Sequence, residues 1–396
     1  MNHNDYSSAL LAQIRNSVRD VNTIAAAETF EFFESCIPAS AVKTFSRVTL
    51  TGCGDSYCAG IAAKPVFENA EAFTGTGMVP GTPTEALRNI DCSRYLNTYK
   101  GWEPLTLHNN VVCAVSISGA PKRPTEAVKR FQEVGAQSIA FTTNPNSELA
   151  KNAAFVVPMT LPPCDHAPNV TSYYSSLFSL MMFGFYMSMV KGQITREQAN
   201  ACRMGLLQYA NSYSGKVMDE LSEKAFKRAQ PGEADGVANL DFVGDGADYA
   251  TAFFGSAKMV EAFGGLTTND DSEDWSHINY FLKDTDHIGT FFVANTRSPS
   301  FDRLQDSIRV ACELRKHVAV ITDGEPELFP ENAVVFRTPK AQAGWMSPLM
   351  QHIPMDFVAA YIACFRNTGA FRQDSPIHQR DAACARFRQS KIEVVK

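Results

Sequence analysis

Short apolar runs separated by longer mixed stretches organise this chain. After a helical pattern over residues 8–35, Val48-Thr49-Leu50 leads into the loop TGCGDSYCAG (51–60). VVCAVSIS (111–118) follows, then a helical pattern from Glu126 to Val134, Ser138-Ile139-Ala140-Phe141, and Ala154 to Val157. Apolar runs this short, alternating with helical periodicity, predict a parallel sheet covered by helices on both faces. Residues 193–235 are polar and helical in pattern and end in QPGEADG (230–236), which reads as a linker. SLFSLMMFGFYMSMV (176–190) falls short of about 18 unbroken apolar residues and holds Ser176, Ser179 and Ser188, so it predicts a buried core helix and not a membrane span.

Beyond the linker the pattern restarts. DFVGDGADYATA (241–252) echoes VTLTGCGDSYCAG (48–60): an apolar run, G-x-G, a tyrosine three residues after the second glycine, then small residues. HIGTFFVANTRSPSFDRL (287–304), HVAVITD (317–323) and AVVFRTP (333–339) repeat the later strands of the first half in order. Two tandem doubly wound domains follow. The divisions expected are an N-terminal helical segment (1–45), a first domain (46–200), a helical linker (201–236), a second domain (237–370) and a tail (371–396) that contributes to the active site.

Composition narrows the class. The 45% hydrophobic and 20% charged residues are those of a globular protein, and a net charge of −6 without a long basic run argues against nucleic acid or an anionic membrane surface. Ten cysteines without C-x-x-C pairs read as reduced thiols, and the polar N-terminus reads as no signal peptide. A cytoplasmic location is expected.

The opening loop fails the dinucleotide fingerprint, because Gly52 and Gly54 fit G-x-G-x-x-G but the third glycine position is Tyr57. Gly54, Asp55 and Ser56 instead place backbone N–H groups and a hydroxyl at the start of a helix, which suits a single phosphate. Ser116 and Ser118 lie on the second loop, at the end of the neighbouring strand, where open α/β sheets bind ligands. The acidic run NDDSED (269–274) reads as a solvated loop, since it lacks histidine or cysteine partners at metal spacing. No metal and no cofactor are expected.

AVSISGAPKRPTEAVKRFQEVGAQSIAFTTNPNSELAKNAAFVV (114–157) resembles the core of the sugar isomerase (SIS) domain. The S-x-S-G loop, a helix, the GA-x-x-IA-x-T strand, the S-x-LA turn and the A-x-x-VV strand stand in the family's order. The paired arrangement resembles the isomerase domain of glucosamine-6-phosphate synthase and the fructosamine-6-phosphate deglycases, from about residue 46 to the C-terminus. The resemblance implies two flavodoxin-like parallel-sheet domains, with the loop serines holding a sugar phosphate. The family's loop commonly reads S-x-S-G-x-T. Here it reads Ser116-Ile117-Ser118-Gly119-Ala120-Pro121, losing the threonine and an N–H donor, with Lys122, Arg123 and Thr125 following as compensating groups. Ser172 in NVTSYYSSL (169–177) matches a family serine that lines the sugar site, and it also suits a helix N-cap.

The resemblance extends to residues able to do chemistry. Glu261 matches the glutamate that moves a proton between C1 and C2, and Lys258 the synthase lysine three residues before it. An i,i+3 Lys–Glu pair is also an ordinary feature of helix surfaces. His277, 16 residues after Glu261, matches the family histidine that opens the sugar ring. The family's E-x-x-H-G-P is here Asp274-Trp275-Ser276-His277-Ile278. PLMQHIPMDFVAAYIACFRNTG (348–369) resembles the last core helix, with a deglycase-like Pro-Met-acid start. Lys391 aligns with a synthase tail lysine that approaches the sugar.

The resemblance therefore implies a cofactor-free enzyme acting on a phosphorylated keto- or amino-sugar, or a fructosamine. The reaction is aldose–ketose isomerisation or C–N cleavage as a deglycase or deaminase. Because the synthase's glutaminase domain is absent, the weight falls on C–N cleavage; Lys391 points the other way. In this family the histidine often reaches a neighbouring chain's sugar, which implies a homodimer with shared sites. A non-catalytic regulator that binds sugar phosphates is the alternative class.

Overall fold

The computed structural model describes residues 2–68, 81–95, 109–234, 237, 239–378 and 390–394. They group into two compact units. One is built on residues 20–163 and 171–204 with tail residues 390–394. The other is built on residues 2–19, 164–170 and 205–378.

The unit holding the first half of the repeat contains β1 (Arg47–Gly52), β2 (Thr84–Arg88), β3 (Asn110–Val115), β4 (Gln137–Thr142) and β5 (Phe155–Pro158). All pairings are parallel, in the order β2-β1-β3-β4-β5. β3 is buried at every position, as a strand covered on both faces must be, which is why VVCAV reads as a continuous apolar run. Val112, Ala114, Val128, Phe131, Ala140 and Leu149 form one face of the core. The register Thr51↔Ala114 sets the carboxyl ends of β1 and β3 side by side. There the strand order reverses and the crevice opens.

The Thr171–Val190 helix is apolar all round and buried along nearly its whole length, packed on the Asp55–Glu68 helix. It is the core helix expected for SLFSLMMFGFYMSMV. No described helix is long and apolar enough to cross a membrane.

The other unit repeats the design with β6 (Asn239–Gly244), β7 (Leu266–Asp270), β8 (Ile288–Val293), β9 (His317–Thr322) and β10 (Val334–Arg337). Its order is β10-β9-β8-β6-β7, again all parallel. Strand for strand this is the first unit's order, so the sequence repeat is a repeat of fold: two doubly wound α/β units. Val243, Trp275, Phe292, Leu304, Ile308 and Val320 pack one of its faces.

Two elements depart from the sequence expectation. β2 and β7 are edge strands that the apolar pattern does not announce. NDDSED is not a solvated loop: Asn269 and Asp270 end β7, and Asp271 caps the Ser272–His277 helix by accepting from the N–H groups of Glu273 and Asp274 at 2.9 and 2.8 Å.

Candidate functional site

The loop after β1 is shaped by its glycines. A Cβ on Gly52 would stand 2.6 Å from the Ser56 backbone, and Gly54 has φ +53°, so G-x-G is what lets β1 turn at once into the Asp55–Glu68 helix. Ser56 lies in the first turn, 8% exposed. Thr51 Oγ1 donates to Asn89 Oδ1 at 2.9 Å, and Asn89 Nδ2 donates to Cys53 Sγ at 3.0 Å, fastening the loop to the end of β2. Arg88 at that strand end lies over the Tyr57 ring, 5.1 Å from its centroid, and brings a cation beside the loop. Sequence reasoning missed Arg88 and Asn89 because it missed β2.

The adjacent loop after β3 carries Ser116, nearly buried, and Ser118, exposed with its Oγ accepting from Ala120 N–H at 3.3 Å. Pro121 occupies the N-cap of the Lys122–Glu133 helix and offers no side-chain cap. Ser172 sits in the first turn of the Thr171–Val190 helix, 8% exposed, two residues inside the N-cap position expected of it. Ser175 Oγ, one turn along, donates to the Thr160 carbonyl just past β5, which holds this helix start at the carboxyl edge of the sheet. Among the described residues, the hydroxyls of Ser56, Ser116 and Ser172 have no hydrogen-bond partner within the chain.

Arg123 does not face an open anion site. Its guanidinium pairs with Glu126 Oε2 at 2.8 Å and donates to the Lys391 carbonyl at 2.5 Å. Glu126, fully buried, also accepts from Arg94 at 3.0 Å and from the Glu393 N–H at 2.6 Å. The tail segment carrying Lys391 is thereby seated on the helix that follows the Ser116–Pro121 loop. Thr125 is buried in the first turn of that helix. The compensation expected of Arg123 therefore goes to tail placement, while Lys122 stays half-buried beside the loop.

In the other unit, Lys258 and Glu261 lie on the Ala247–Phe263 helix. Lys258 is fully buried, 4.7 Å from the Phe254 ring centroid, and donates to Glu261 Oε2 at 2.5 Å. The Glu261 side chain is 31% exposed. A buried ammonium donating to a partly accessible carboxylate is not the surface ion pair that i,i+3 spacing most often makes. Glu261 stands near the end of a helix that runs back from the carboxyl edge of its sheet, so it lies toward the amino edge.

His277 ends the Ser272–His277 helix with its ring 72% exposed, 3.1 Å from Glu273 Oε1. Its acidic partner is Glu273 and not Asp274, because i,i+4 neighbours share a helix face. Hydrogen bonds from Arg303 and His277 hold the Glu273 carboxyl below its usual range. Glu261 and His277 stand on separate helices of this unit. Ile278, Tyr280, Phe281 and Leu282 beside His277 are also exposed.

The second G-x-G loop has the same backbone design, with Gly246 at φ +58° and a Cβ on Gly244 meeting the Asp248 backbone at 2.6 Å. Its chemistry is opposite. Asp248 stands where Ser56 stands in the first loop, buried, with Gln351 Nε2 donating to Oδ1 at 2.7 Å. Burial pushes the Asp248 carboxyl up to about 7 against the lowering effect of Gln351. A loop holding a buried carboxyl group bonded to an internal amide differs in chemistry from the serine-bearing first loop. Among the described residues no cluster of metal-ligating side chains occurs.

No family model matches the chain. In fold and in sequence it is similar to proteins of the double sugar isomerase (SIS) type. The isomerizing glutamine–fructose-6-phosphate aminotransferase of Symbiobacterium thermophilum is 24% identical over 336 residues, 84% of this chain and 51% of that protein. The C-terminal domain of glucosamine-fructose-6-phosphate aminotransferase from Francisella tularensis superposes with a TM-score of 0.77 at 16% identity, covering 94% of this chain and 100% of that one. Tagatose-6-phosphate ketose/aldose isomerase from Escherichia coli superposes with 0.64 at 14% identity, covering 92% and 95%. The chain spans about half the length of such sequence relatives.

Proposed function

We propose that this chain is an enzyme that processes a phosphorylated keto- or amino-sugar by moving a proton between C1 and C2. The observation that carries this reading is the Lys258–Glu261 pair. A fully buried lysine fixes one carboxylate oxygen at 2.5 Å while the glutamate remains partly accessible. A carboxylate so held is oriented to take a proton from one carbon and return it to its neighbour through an enediol or enolamine. Lys258 sets the orientation of that base.

The phosphate is assigned to the first half of the repeat. Ser56, Ser116 and Ser172 are nearly buried hydroxyls without partners among the described residues, and the equivalent second-half loop contains Asp248. Gly54, Asp55 and Ser118 complete the two loops. Lys391, whose segment is seated on the helix after the Ser116 loop, polarises sugar oxygens at the phosphate-bearing crevice.

His277 is the ring-opening group, protonating the ring oxygen as the anomeric hydroxyl loses its proton. Its exposure, beside exposed Ile278, Tyr280 and Phe281, supports a role across a homodimer in which each chain completes the other's site. Isomerisation and C–N cleavage share this proton transfer, and C–N cleavage adds one hydrolysis. Proton transfer from C1 to C2 of a fructosamine gives an imine at C1, and water then releases the amine and leaves an aldose phosphate.

The test is to incubate the protein with phosphorylated ketoses, amino sugars and fructosamines and their unphosphorylated counterparts, following each by NMR. The reading expects turnover of phosphorylated compounds alone, with amine release from a fructosamine phosphate. No turnover of any of them, together with no thermal stabilisation by any, would overturn it.

A further inference from the structure

The second-half unit contains a cavity that no part of the proposed chemistry uses. It lies at the amino edge of its sheet, where β6 begins and the Ala247–Phe263 helix turns into β7, with a volume of 330 Å³. That is within the range of small-molecule pockets, about 300–1,000 Å³. Its walls are Leu240, Phe263, Phe291, Val358 and Ile362, each no more than 9% exposed.

Two arginines interrupt this apolar lining. Arg366 lies exposed at the rim, 5.2 Å from the Phe263 ring centroid. Arg228 is the unusual one, because it lines the cavity while only 9% exposed. Its one hydrogen bond among the described residues runs from Nη1 to the Glu233 carbonyl at 3.4 Å. Among those residues no carboxylate forms an ion pair with it, although the Glu233 charge acts on it from a distance. Burial works against its charge. A guanidinium has five N–H donors in a planar fork, and leaving most of them unused in a desolvated position is costly.

We propose that this cavity binds a small monocarboxylate with an apolar body, its head group on the Arg228 guanidinium and its tail against Phe263, Phe291 and Val358. The charge count matches, with one buried cation for one carboxylate. The fork geometry accepts two carboxylate oxygens at once. A sugar phosphate does not suit the cavity, because its hydroxyls would meet apolar walls. The site is therefore separate from the serine loops and stands whether or not the proposed sugar chemistry does.

Isothermal titration of the whole chain with sodium octanoate, and with octanamide as its neutral match, tests this. The expected result is saturable octanoate binding that is about tenfold or more tighter than octanamide binding, as charge-assisted hydrogen bonds predict. Arg228→Met keeps the side chain's length and apolar stem, and it should erase the preference while the protein still melts cooperatively. If that variant does not fold, the acid–amide comparison on the native protein decides alone. The assignment is overturned by equal binding of acid and amide, or by a folded Arg228→Met protein that binds octanoate unchanged. It is also overturned if octanoate shows no saturable binding up to about 10 mM. Loss of the preference in Arg366→Gln but not in Arg228→Met would place the head group at the rim and overturn the role of Arg228.

Discussion

Lys316 Nζ donates a 2.7 Å hydrogen bond to Asp241 Oδ2 with both side chains buried. The same carboxylate accepts from Thr268 Oγ1 at 3.0 Å, and from Trp275 Nε1 and Thr290 Oγ1 at 3.3 Å each. Lys316 also lies 4.9 Å from the Trp275 ring centroid. One residue of β6 thus ties together β7, β8, the entry to β9 and the short helix that ends in His277.

Asp241→Ala would leave the Lys316 ammonium buried without its counter-ion, with only the Asn279 carbonyl and the Trp275 ring beside it. A loss of about 3–5 kcal/mol in unfolding free energy is expected, read from denaturant melts. A loss below about 1 kcal/mol would mean that the pair does not hold the His277 helix in place.

Asp248 makes stability depend on pH. Its folded value of about 7 lies above the ordinary 3.8, so the native state keeps a proton that the unfolded chain releases. This contribution is complete below about pH 3.8 and is lost as pH rises through about 7. Asp248→Asn should therefore gain stability relative to the native protein between about pH 4 and 7, by roughly 2–4 kcal/mol across that window. Parallel stability–pH curves for the two proteins would contradict it.

The hydroxyls of Ser56 and Ser116 bond to nothing within the described chain. Replacing either with alanine should leave the ligand-free melting temperature within about a degree while weakening phosphosugar binding about tenfold or more. A fall in melting temperature without loss of binding would make them structural.

Arg123 seats the tail through the Lys391 carbonyl. Arg123→Met and Lys391→Ala should each lower phosphosugar turnover, and the double variant should be little worse than the poorer single one, since both disturb one arrangement. Independent, additive losses would separate the tail from Arg123.

The fold was legible where burial leaves a continuous apolar run: β3 and β8 are buried at every position and both stand out in the sequence. TEALR and LTTND did not stand out, because edge strands are half-exposed and carry polar residues that break any run. That omission hid Arg88 and Asn89. The G-x-G loops were legible because only glycine meets their backbone demands. Their opposite chemistry rests on one position, Ser56 against Asp248, which the repeat pairs in sequence but whose burial and contact with Gln351 only the folded chain shows. The spacing of Lys258 and Glu261 is visible in sequence, but an i,i+3 interval is the same on a surface as in a core. Packing against Phe254 is what buries the lysine. His277 is likewise named by its interval from Glu261, and its exposure is a fact of the folded chain.

The measurement that bears most directly on the proposal is turnover and solvent-deuterium incorporation at C1 and C2 by Glu261→Gln, with a phosphosugar the native protein turns over. Glutamine keeps the size and an acceptor oxygen for Lys258 but cannot hold a transferred proton. The account predicts a loss of about a hundredfold to ten-thousandfold or more in both turnover and deuterium exchange, with ligand binding retained. Near-native turnover, or deuterium exchange that persists in the variant, would contradict it.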